Sequence, residues 1–463
     1  MRTVRMILAL TAGVAAACVR YEPRPIAPQQ SLATIEARTI DTDRLRAFLA
    51  AHGAPAADLP RWDLRALTLV AFYYHPGLDE ARAAASVAQG AIITAGARPN
   101  PTAQPTFGYA ASGPPWMPGF GLLIPIETAG KRGYRIGEAR RRADAAQLQI
   151  VAVAWQIRVG VRRALLDLVA ARRLETILSR QSTVQADIVQ LLERQLEAGA
   201  ITPFEATQAR LAAATTRLAV YQAAIQRAQA EAGLADTLGM TRQAFGAIAT
   251  AVDIGDDINV QVPEAVAQRE ALVSRADVRA ALAEYEASQS ALQLEIARQY
   301  PDLDLGPGYL FDQDVSKYTI NFGVTLPLLN RNQGPIAEAT ARREQAAAHL
   351  MVVQANALHE LSEAEAILQA ARLRLAAAEA AATTTREQEQ RRRRTYEAGD
   401  ISRVEVLTAQ LESVAAEVGV AEARAQVEHA AGALEDAMQR PLGFEDMVLT
   451  NPRTGSKSER QQR

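Results

Sequence analysis

The single cysteine of the chain, Cys18, is the side chain best placed for covalent modification. It follows the apolar run Met6–Ala17, which begins just after two basic residues, Arg2 and Arg5. Such a run is typical of a secretory signal, and it is too short to span a bilayer as a helix. We therefore predict a signal peptide over residues 1–17 and a lipid attached to Cys18. The alternative is an ordinary secretory signal in which the cysteine has no role.

The side chains that commonly bind metals or catalyse reactions are scattered along the chain. The histidines have neither HxH nor HxxxH spacing, and they are His52, His75, His349, His359 and His429. We therefore predict no metal-binding site and no cofactor. The motifs of serine hydrolases, phosphate-binding loops, dinucleotide-binding folds and zinc proteases are missing too, so we expect no enzymatic activity. The net charge of -2 gives no reason to expect binding to nucleic acid.

The chain contains two copies of one sequence pattern, offset by 200 residues. At this offset Glu197-Ala198-Gly199 aligns with Glu397-Ala398-Gly399, and Gly108-Tyr109 aligns with Gly308-Tyr309. Chance explains alanine matches in a chain rich in alanine, but not aligned glycine, tyrosine and glutamate, so we predict two structural repeats. The predicted division is a signal peptide (1–17), a lipid-anchored extended segment (18–61), a first repeat (62–240), an inter-repeat segment (241–262), a second repeat (263–442) and a disordered tail (443–463).

Each copy has the same predicted order of elements. A helix comes first, over Asp63–Ala97 in the first copy and Pro263–Arg298 in the second, and prolines follow both helices. Two short strands come next, of which Tyr318–Leu326 alternates apolar with small or polar residues throughout. The other predicted strands are Thr102–Ala110, Gly119–Ile126 and Leu303–Phe311.

After its strands, each copy contains one very long helix and a shorter returning helix. The long helices are predicted over Thr128–Glu197 and Gln333–Glu397, and at ~1.5 Å per residue each is about 100 Å long. Gly199 and Gly399 follow these helices and suit the left-handed position that ends a helix. Long helical hairpins are therefore expected, rather than a compact core.

The number of predicted strands indicates an oligomer. Four strands per chain cannot close a barrel, because about eight is the practical minimum, whereas three chains supply twelve. The apolar side chains of Tyr318–Leu326 would then face lipid. The alternative, a strand in a soluble β-sandwich, lacks further strands to supply a core. We predict a mainly α fold with a small transmembrane β region, in which four strands per protomer complete a 12-stranded β-barrel in a trimer.

Three stretches of the sequence resemble the TolC family of outer-membrane efflux proteins. They are the turns Glu197–Thr202 and Tyr396–Ser402 and the stretch Leu326–Gly334, which reads LPLLNRNQG. The last stretch is similar to the CzcC-like branch, the outer-membrane factors of cobalt-zinc-cadmium efflux. The first repeat departs from this pattern, because Gly130-Lys131-Arg132 stands where the second repeat has Asn-Arg-Asn-Gln. The resemblance extends over nearly the whole of both repeats.

This resemblance implies a homotrimer in the outer membrane of a Gram-negative bacterium that extends into the periplasm as an α-barrel of coiled-coil hairpins. The lipid predicted on Cys18 would anchor it to the outer membrane. The implied partners are a periplasmic adaptor (membrane fusion) protein and an inner-membrane RND pump. The expected function is passive conduction of substrates, divalent heavy-metal ions in this branch, to the cell exterior. Two alternatives remain open: a channel for drugs or other organic compounds, and a lipid-anchored coiled-coil adaptor or scaffold without a pore.

The resemblance also assigns roles to the residues around the turns. Acidic residues past the second turn help to close the channel in the family, and Glu405 matches one such position, whereas the other is Thr408 here. Glu205 is the repeat equivalent, and rings of these carboxylates in a trimer would attract cations. The alternative is that both are first-turn residues favoured by the helix dipole. The tips expected to bind the adaptor comprise Gly199, Ile201, Thr202, Gly399, Ile401 and Ser402.

Overall fold

The computed structural model of the protein describes residues 21–40, 42–54, 62–109, 116–246 and 262–441. Cys18, the predicted signal peptide, most of the inter-repeat segment and the predicted tail lie outside these residues. The elements in chain order are α1 (Pro28–Glu36), α2 (Asp43–Ala51), α3 (Leu64–Tyr74), α4 (Pro76–Gly96), β1 (Thr102–Tyr109), β2 (Trp116–Ile126), α5 (Lys131–Glu197), α6 (Pro203–Thr237), α7 (Arg242–Gly246), α8 (Ala265–Ser274), α9 (Ala276–Ala297), β3 (Leu303–Asp312), β4 (Val315–Val324), α10 (Gln333–Glu397) and α11 (Arg403–Met438).

The two long helices predicted from the sequence are present and match in length. α5 has 67 residues and α10 has 65, so each is about 100 Å long. Each starts at a residue in the left-handed conformation, Gly130 (φ 73) or Asn332 (φ 62), which turns the chain from the sheet into the helix. The returning helices α6 and α11 lie alongside them as antiparallel hairpins.

The helices pack side by side in one row. Along the hairpins the order is α6, α5, α11 and α10, and near the sheet it is α4, α5, α9 and α10. The central helix α5 therefore contacts both repeats, whereas α6 with α4 forms one edge of the row and α10 forms the other. This arrangement leaves a helix face uncovered at each edge of the chain.

The first helix of each repeat consists of two helices, so the single helices predicted there are wrong. In the first repeat His75 is extended (φ -75, ψ 117), because the residue before a proline, here Pro76, avoids the helical region. In the second repeat the break is at Arg275. The buried Arg275 guanidinium donates to the Ala437 carbonyl oxygen at 2.6 Å and pairs with Glu360 at 2.8 Å, so tertiary contacts hold this break.

The segment 18–61, predicted to be extended, contains two helices in its described part. α2 begins at the N-cap Thr42, whose side chain accepts a hydrogen bond from the Leu45 amide. Leu45 and Leu49 are fully buried in the main core, where they belong to the same cluster as Val161 of α5. The apolar side chains of α2 pack over the middle of α5. This tertiary contact stabilises a helix that would be too short to form alone.

The four strands form one antiparallel sheet in the order β1-β2-β3-β4. Gln313 and Asp314 join β3 to β4, and both have positive φ (50 and 60), as in a tight two-residue hairpin turn. β2 and β3 pair across the repeat boundary, with Phe120 opposite Tyr309. The sheet thus joins the two repeats at one end of the molecule, and β1 and β4 are its edge strands.

Ion pairs join the two repeats where α5 packs on α11. Arg158 Nη2 lies 2.8 Å from Glu435 Oε1, and Arg162 pairs with the same carboxylate; all three side chains are buried. A side chain at Gly432 would lie 3.0 Å from the Arg162 guanidinium, so this glycine makes room for it. Other cross-repeat pairs in the described part of the chain include Lys131–Asp302 (2.7 Å), Arg141–Glu286 (3.1 Å), Arg173–Glu428 (3.8 Å), Arg180–Glu417 (2.5 Å) and Asp167–His429 (3.1 Å).

Candidate functional site

One face of the sheet is apolar across all four strands. Residues paired across an antiparallel sheet lie on the same face, so the register connects Tyr318 to Tyr309 and then to Phe120. The opposite face is mainly glycine and polar side chains, such as Thr319 and Asn321. With Ser316 as the exception, the described strand residues of the apolar face are Ala103, Pro105, Phe107, Tyr109, Trp116, Pro118, Phe120, Leu122, Ile124, Ile126, Leu303, Leu305, Pro307, Tyr309, Phe311, Tyr318, Ile320, Phe322 and Val324.

Much of this apolar face is uncovered in the single chain. Tyr318 is 83% exposed and Ile320 is 79% exposed. Aromatic rings pair across the strands near the hairpin turns, with centroids 5.5 Å apart for Tyr109 and Trp116. An apolar patch of this extent marks a contact with lipid or protein, and aromatic side chains near its end suit a membrane interface. Among the described helices, none is both long enough and apolar enough to cross a membrane.

The two turns at the far end of the hairpins have the predicted geometry. Gly199 (φ 70) and Gly399 (φ 88) are in the left-handed conformation. The Ala200 amide donates to the Gln195 carbonyl at 2.8 Å and the Gly199 amide donates to the Leu196 carbonyl at 2.9 Å, which together close the helix end. The equivalent hydrogen bonds recur in the second turn. Both glycines have open space around them, so their backbone conformation is what requires glycine.

Glu205 and Glu405 each belong to a capping box. Glu205 Oε2 accepts a hydrogen bond from the Thr202 amide at 2.7 Å, while the Thr202 hydroxyl accepts one from the Glu205 amide. Ser402 and Glu405 make the same pair of bonds. The Thr202 amide, followed by its hydroxyl, lowers the pKa of Glu205. Both glutamates therefore cap helices in the single chain, and both lie in the first turn, where the helix dipole favours a carboxylate.

Ion pairs connect the two helices of each tip, and sequence reasoning missed them. Arg392 Nη1 lies 2.9 Å from Glu405 Oε2, and Arg210 Nε lies 2.8 Å from Glu193 Oε1. The first pair was detectable, because Arg392 is seven residues before Gly399 and Glu405 is six after it. Residues at matching distances from a hairpin turn face each other on antiparallel helices. Glu405 therefore has a cationic partner as well as a capping role.

The apolar side chains at the tips differ between the repeats. Ile201 and Ile401 are both partly buried in the single chain, so each leaves only part of its apolar side chain open to a partner. Phe204, which was not selected from the sequence, is 70% exposed at the first tip, and Val404 occupies the equivalent place in the second. The sequence feature that could have identified Phe204 is an aromatic residue in the first turn of a helix, directly after Thr202 and a proline. The candidate docking surface is therefore asymmetric.

Acidic, histidine and cysteine side chains do not converge on a metal-binding arrangement anywhere in the described parts of the chain. His429 contacts Asp167 at 3.1 Å and His359 contacts Glu363 at 3.8 Å, each as an isolated pair. The candidate functional features of the described residues are an apolar sheet face at one end and a pair of capped helical turns at the other.

Hairpins about 100 Å long, packed in a row beneath a small sheet with one apolar face, form the same class of architecture as the outer membrane efflux proteins. Subunits of this class are channels and not enzymes. The chain belongs to the outer membrane efflux protein family, whose model matches residues 74–240 and 267–439.

Known proteins of this kind resemble the chain in sequence and in fold. The cobalt-zinc-cadmium resistance protein CzcC of Cupriavidus metallidurans is 29% identical over 227 residues, which cover 49% of this chain and 53% of CzcC. The chain therefore spans about half the length of that curated relative. VceC of Vibrio cholerae has a TM-score of 0.66 at 21% identity, covering 82% of this chain and 97% of VceC. CusC has a TM-score of 0.67 at 18% identity, covering 82% and 92%. The resemblance predicted from the turns and from LPLLNRNQG is confirmed.

Proposed function

We propose that three copies of this chain form a channel that passively conducts divalent heavy-metal ions to the cell exterior. The observation that carries this proposal is the exposed apolar face of a sheet whose two edge strands, β1 and β4, pair with no further strand among the residues that the structure describes. In lipid, unpaired backbone groups cost several kcal/mol each, so the free edges of β1 and β4 need partners. Three sheets joined edge to edge supply twelve strands around a central passage.

The metal cargo is inferred from the relative CzcC, whose name states resistance to cobalt, zinc and cadmium. A conduit needs no ligand cage, because ions that bind tightly do not leave. The chain would accordingly act with a periplasmic adaptor and an inner-membrane RND pump that selects the ion. The tips around Gly199 and Gly399, with exposed Phe204, would dock the adaptor. Glu205 and Glu405 would form carboxylate rings at the entrance.

The anchor proposed for the assembly is a lipid on Cys18, a residue outside the described part of the chain. A single acyl chain binds membranes only marginally, whereas several signals together anchor stably. Three lipids and three apolar sheet faces in one trimer would combine in this way. The apolar face also argues against a poreless scaffold, which would have no use for such a surface on a sheet far from its tips.

The direct test is metal tolerance in a strain that lacks this gene, with and without the gene restored. We expect the deletion to reduce tolerance to zinc, cobalt, cadmium or nickel, and the restored gene to recover it. Unchanged tolerance to all four metals, together with lost tolerance to organic compounds, would assign the channel to organic cargo instead. Purified protein that is monomeric and soluble without detergent would favour the scaffold and contradict a channel.

A further inference from the structure

The loop that follows β4 carries three strongly exposed leucines. Leu326 is 64% exposed, Leu328 is 74% exposed and Leu329 is 102% exposed, which means that no other part of the chain covers Leu329. A single exposed leucine is ordinary, but three of them within four residues form an apolar surface that marks a contact. Residues 326–329 are named the leucine loop below. They belong to the stretch LPLLNRNQG, and the proposed conduction path uses none of their side chains.

The leucine loop extends the apolar face of the sheet toward the helices. Phe322 and Val324 lie on that face, and Leu326 follows Val324 at the same two-residue spacing. The register places Val324 level with Leu303 and Ile126, where β3 begins and β2 ends. The leucine loop therefore lies beyond the level at which the neighbouring strands end, and it continues their apolar surface.

The equivalent loop of the first repeat is mainly polar and is bound to its own chain. At the 200-residue offset the leucine loop corresponds to Ile126–Ala129. Glu127 accepts a hydrogen bond from Arg135 at 3.1 Å, and the Thr128 amide donates to the Asp302 carboxylate at 2.9 Å. The first loop thus uses its polar groups within the chain, whereas the second loop leaves leucines exposed.

Hydrogen bonds hold the leucine loop in one shape. The Leu328 amide donates to the Leu326 carbonyl oxygen at 2.9 Å. Asn332, at the start of α10, donates from Nδ2 to the Glu295 carbonyl oxygen on α9 at 2.7 Å, and its amide donates to Asn330 Oδ1 at 2.9 Å. Because the turn is already fixed, the leucines lose little conformational entropy when they meet a partner.

Acyl chains match the leucine loop better than a second copy of the chain does. In a closed barrel β4 would lie next to β1 of another copy, and Asn100 and Thr102, at the start of β1, are polar. Arg331 is exposed two residues after Leu329, and a side chain of its length can reach lipid headgroups while the leucines meet acyl chains. Apolar side chains beside a basic residue are typical of segments that lie in the membrane interface.

We propose that the leucine loop inserts into the bilayer leaflet on the side of the helices, with Arg331 at the phospholipid headgroups. Three such loops in one assembly would fix the depth at which the sheet lies in the membrane. This inference rests on the proposed channel, and it adds a lipid-binding surface that the equivalent loop of the first repeat lacks.

Site-specific fluorescence quenching in vesicles tests this placement. Leu329→Cys is labelled with nitrobenzoxadiazole and reconstituted into vesicles of phosphatidylethanolamine and phosphatidylglycerol. We expect lipids with a nitroxide on the upper acyl chain to quench the label strongly, and aqueous iodide to quench it weakly. The matched control is Thr325→Cys, which the alternation of β4 places on the opposite face, and it should show the reverse. Wild-type protein labelled in parallel gives the background from Cys18.

Two further variants separate the possible results. Ile320→Cys, in the middle of β4, is the reference for contact with lipid, and Leu328→Cys is the second probe if Leu329→Cys does not assemble. Quenching of the loop labels by iodide, with lipid quenching at Ile320, would place the loop in water and overturn the inference while the channel stands. Loop labels that neither quencher reaches would mean that a second copy covers the loop, which also overturns it. Absence of lipid quenching at Ile320 would overturn the proposed membrane sheet, and the inference with it.

Discussion

Glu405 combines three possible effects in one side chain, since it caps α11, pairs with Arg392 and carries a charge at the tip. Glutamine can replace glutamate in a capping box, so Glu405→Gln removes the charge and keeps the cap. We predict lower cation selectivity in planar bilayers, with unfolding changed by less than about 1 kcal/mol because the pair is half exposed.

The control for this prediction is Arg392→Gln, which removes the same ion pair and leaves the Glu405 charge in place. Its cation selectivity should equal or exceed that of the wild type. If both variants conduct like the wild type while Glu405→Ala loosens the tip, Glu405 is a capping residue and not part of a gate.

The lowered pKa of Glu205 predicts that the stability of the first tip depends on pH. Hydrogen bonding to Thr202 lowers the pKa of Glu205 below its ordinary value of 4.5, so its contribution to stability is present above 4.5. The contribution is lost as the pH falls through the lowered pKa. We expect the protection of the tip amides from hydrogen exchange, corrected for intrinsic rates, to fall in this acid range. Glu205→Gln should abolish the dependence, and an equal fall in both proteins would contradict it.

Glycine is required at position 399 because of the backbone conformation (φ 88), and not because of crowding, since no atom lies near the place of an added side chain. Gly399→Ala should therefore destabilise the protein by about 1–2 kcal/mol, the cost of a left-handed alanine. The comparison is Gly419→Ala, inside α11 and also uncrowded, where alanine should stabilise by about 0.5–1 kcal/mol. Thermal melting of both variants, followed by helical circular dichroism, should show opposite shifts; equal shifts would refute the turn argument.

At the scale of elements, the seam between α5 and α11 contains both buried and exposed ion pairs. Glu435→Ala leaves Arg158 and Arg162 buried without that carboxylate, so we predict a loss of about 3–5 kcal/mol. Glu417→Ala removes the partner of Arg180, whose side chain is 53% exposed, and should cost less than about 1 kcal/mol. Denaturant unfolding in detergent measures both, and equal losses would contradict a special role for the buried cluster.

The long elements were predictable because their signals are local. An alanine-rich composition, the turn glycines and the capping residues Thr202 and Ser402 indicate α5, α6, α10 and α11 from the sequence. The break at Arg275 was not predictable, since no proline marks it and its cause is a contact with Ala437 at the other end of the repeat. The helix α2 was missed for the same reason, because it depends on burial against α5.

At the scale of the whole molecule, the sequence located both functional ends but not their contacts. The alternation in Tyr318–Leu326 predicted one apolar strand face, and the register shows that the other three strands share it. The Arg392–Glu405 pair and the exposure of Phe204 depend on how neighbouring helices pack, which a single segment does not specify. Surfaces shared between two copies are still harder to predict from the sequence, because the residues that they contact belong to another chain.

The apolar sheet face gives the prediction that tests the molecule as a membrane protein. Ile320 and Thr319 are neighbours in the middle of β4 but lie on opposite faces. A lysine on a lipid-facing strand costs about 2–4 kcal/mol at the bilayer midplane, whereas one on the opposite face costs much less. Ile320→Lys should therefore reduce the yield of heat-modifiable trimers in outer-membrane fractions, and Thr319→Lys should leave it nearly unchanged. Equal yields would mean that this face does not meet lipid, and the sheet would then need a protein partner to cover its exposed aromatic side chains.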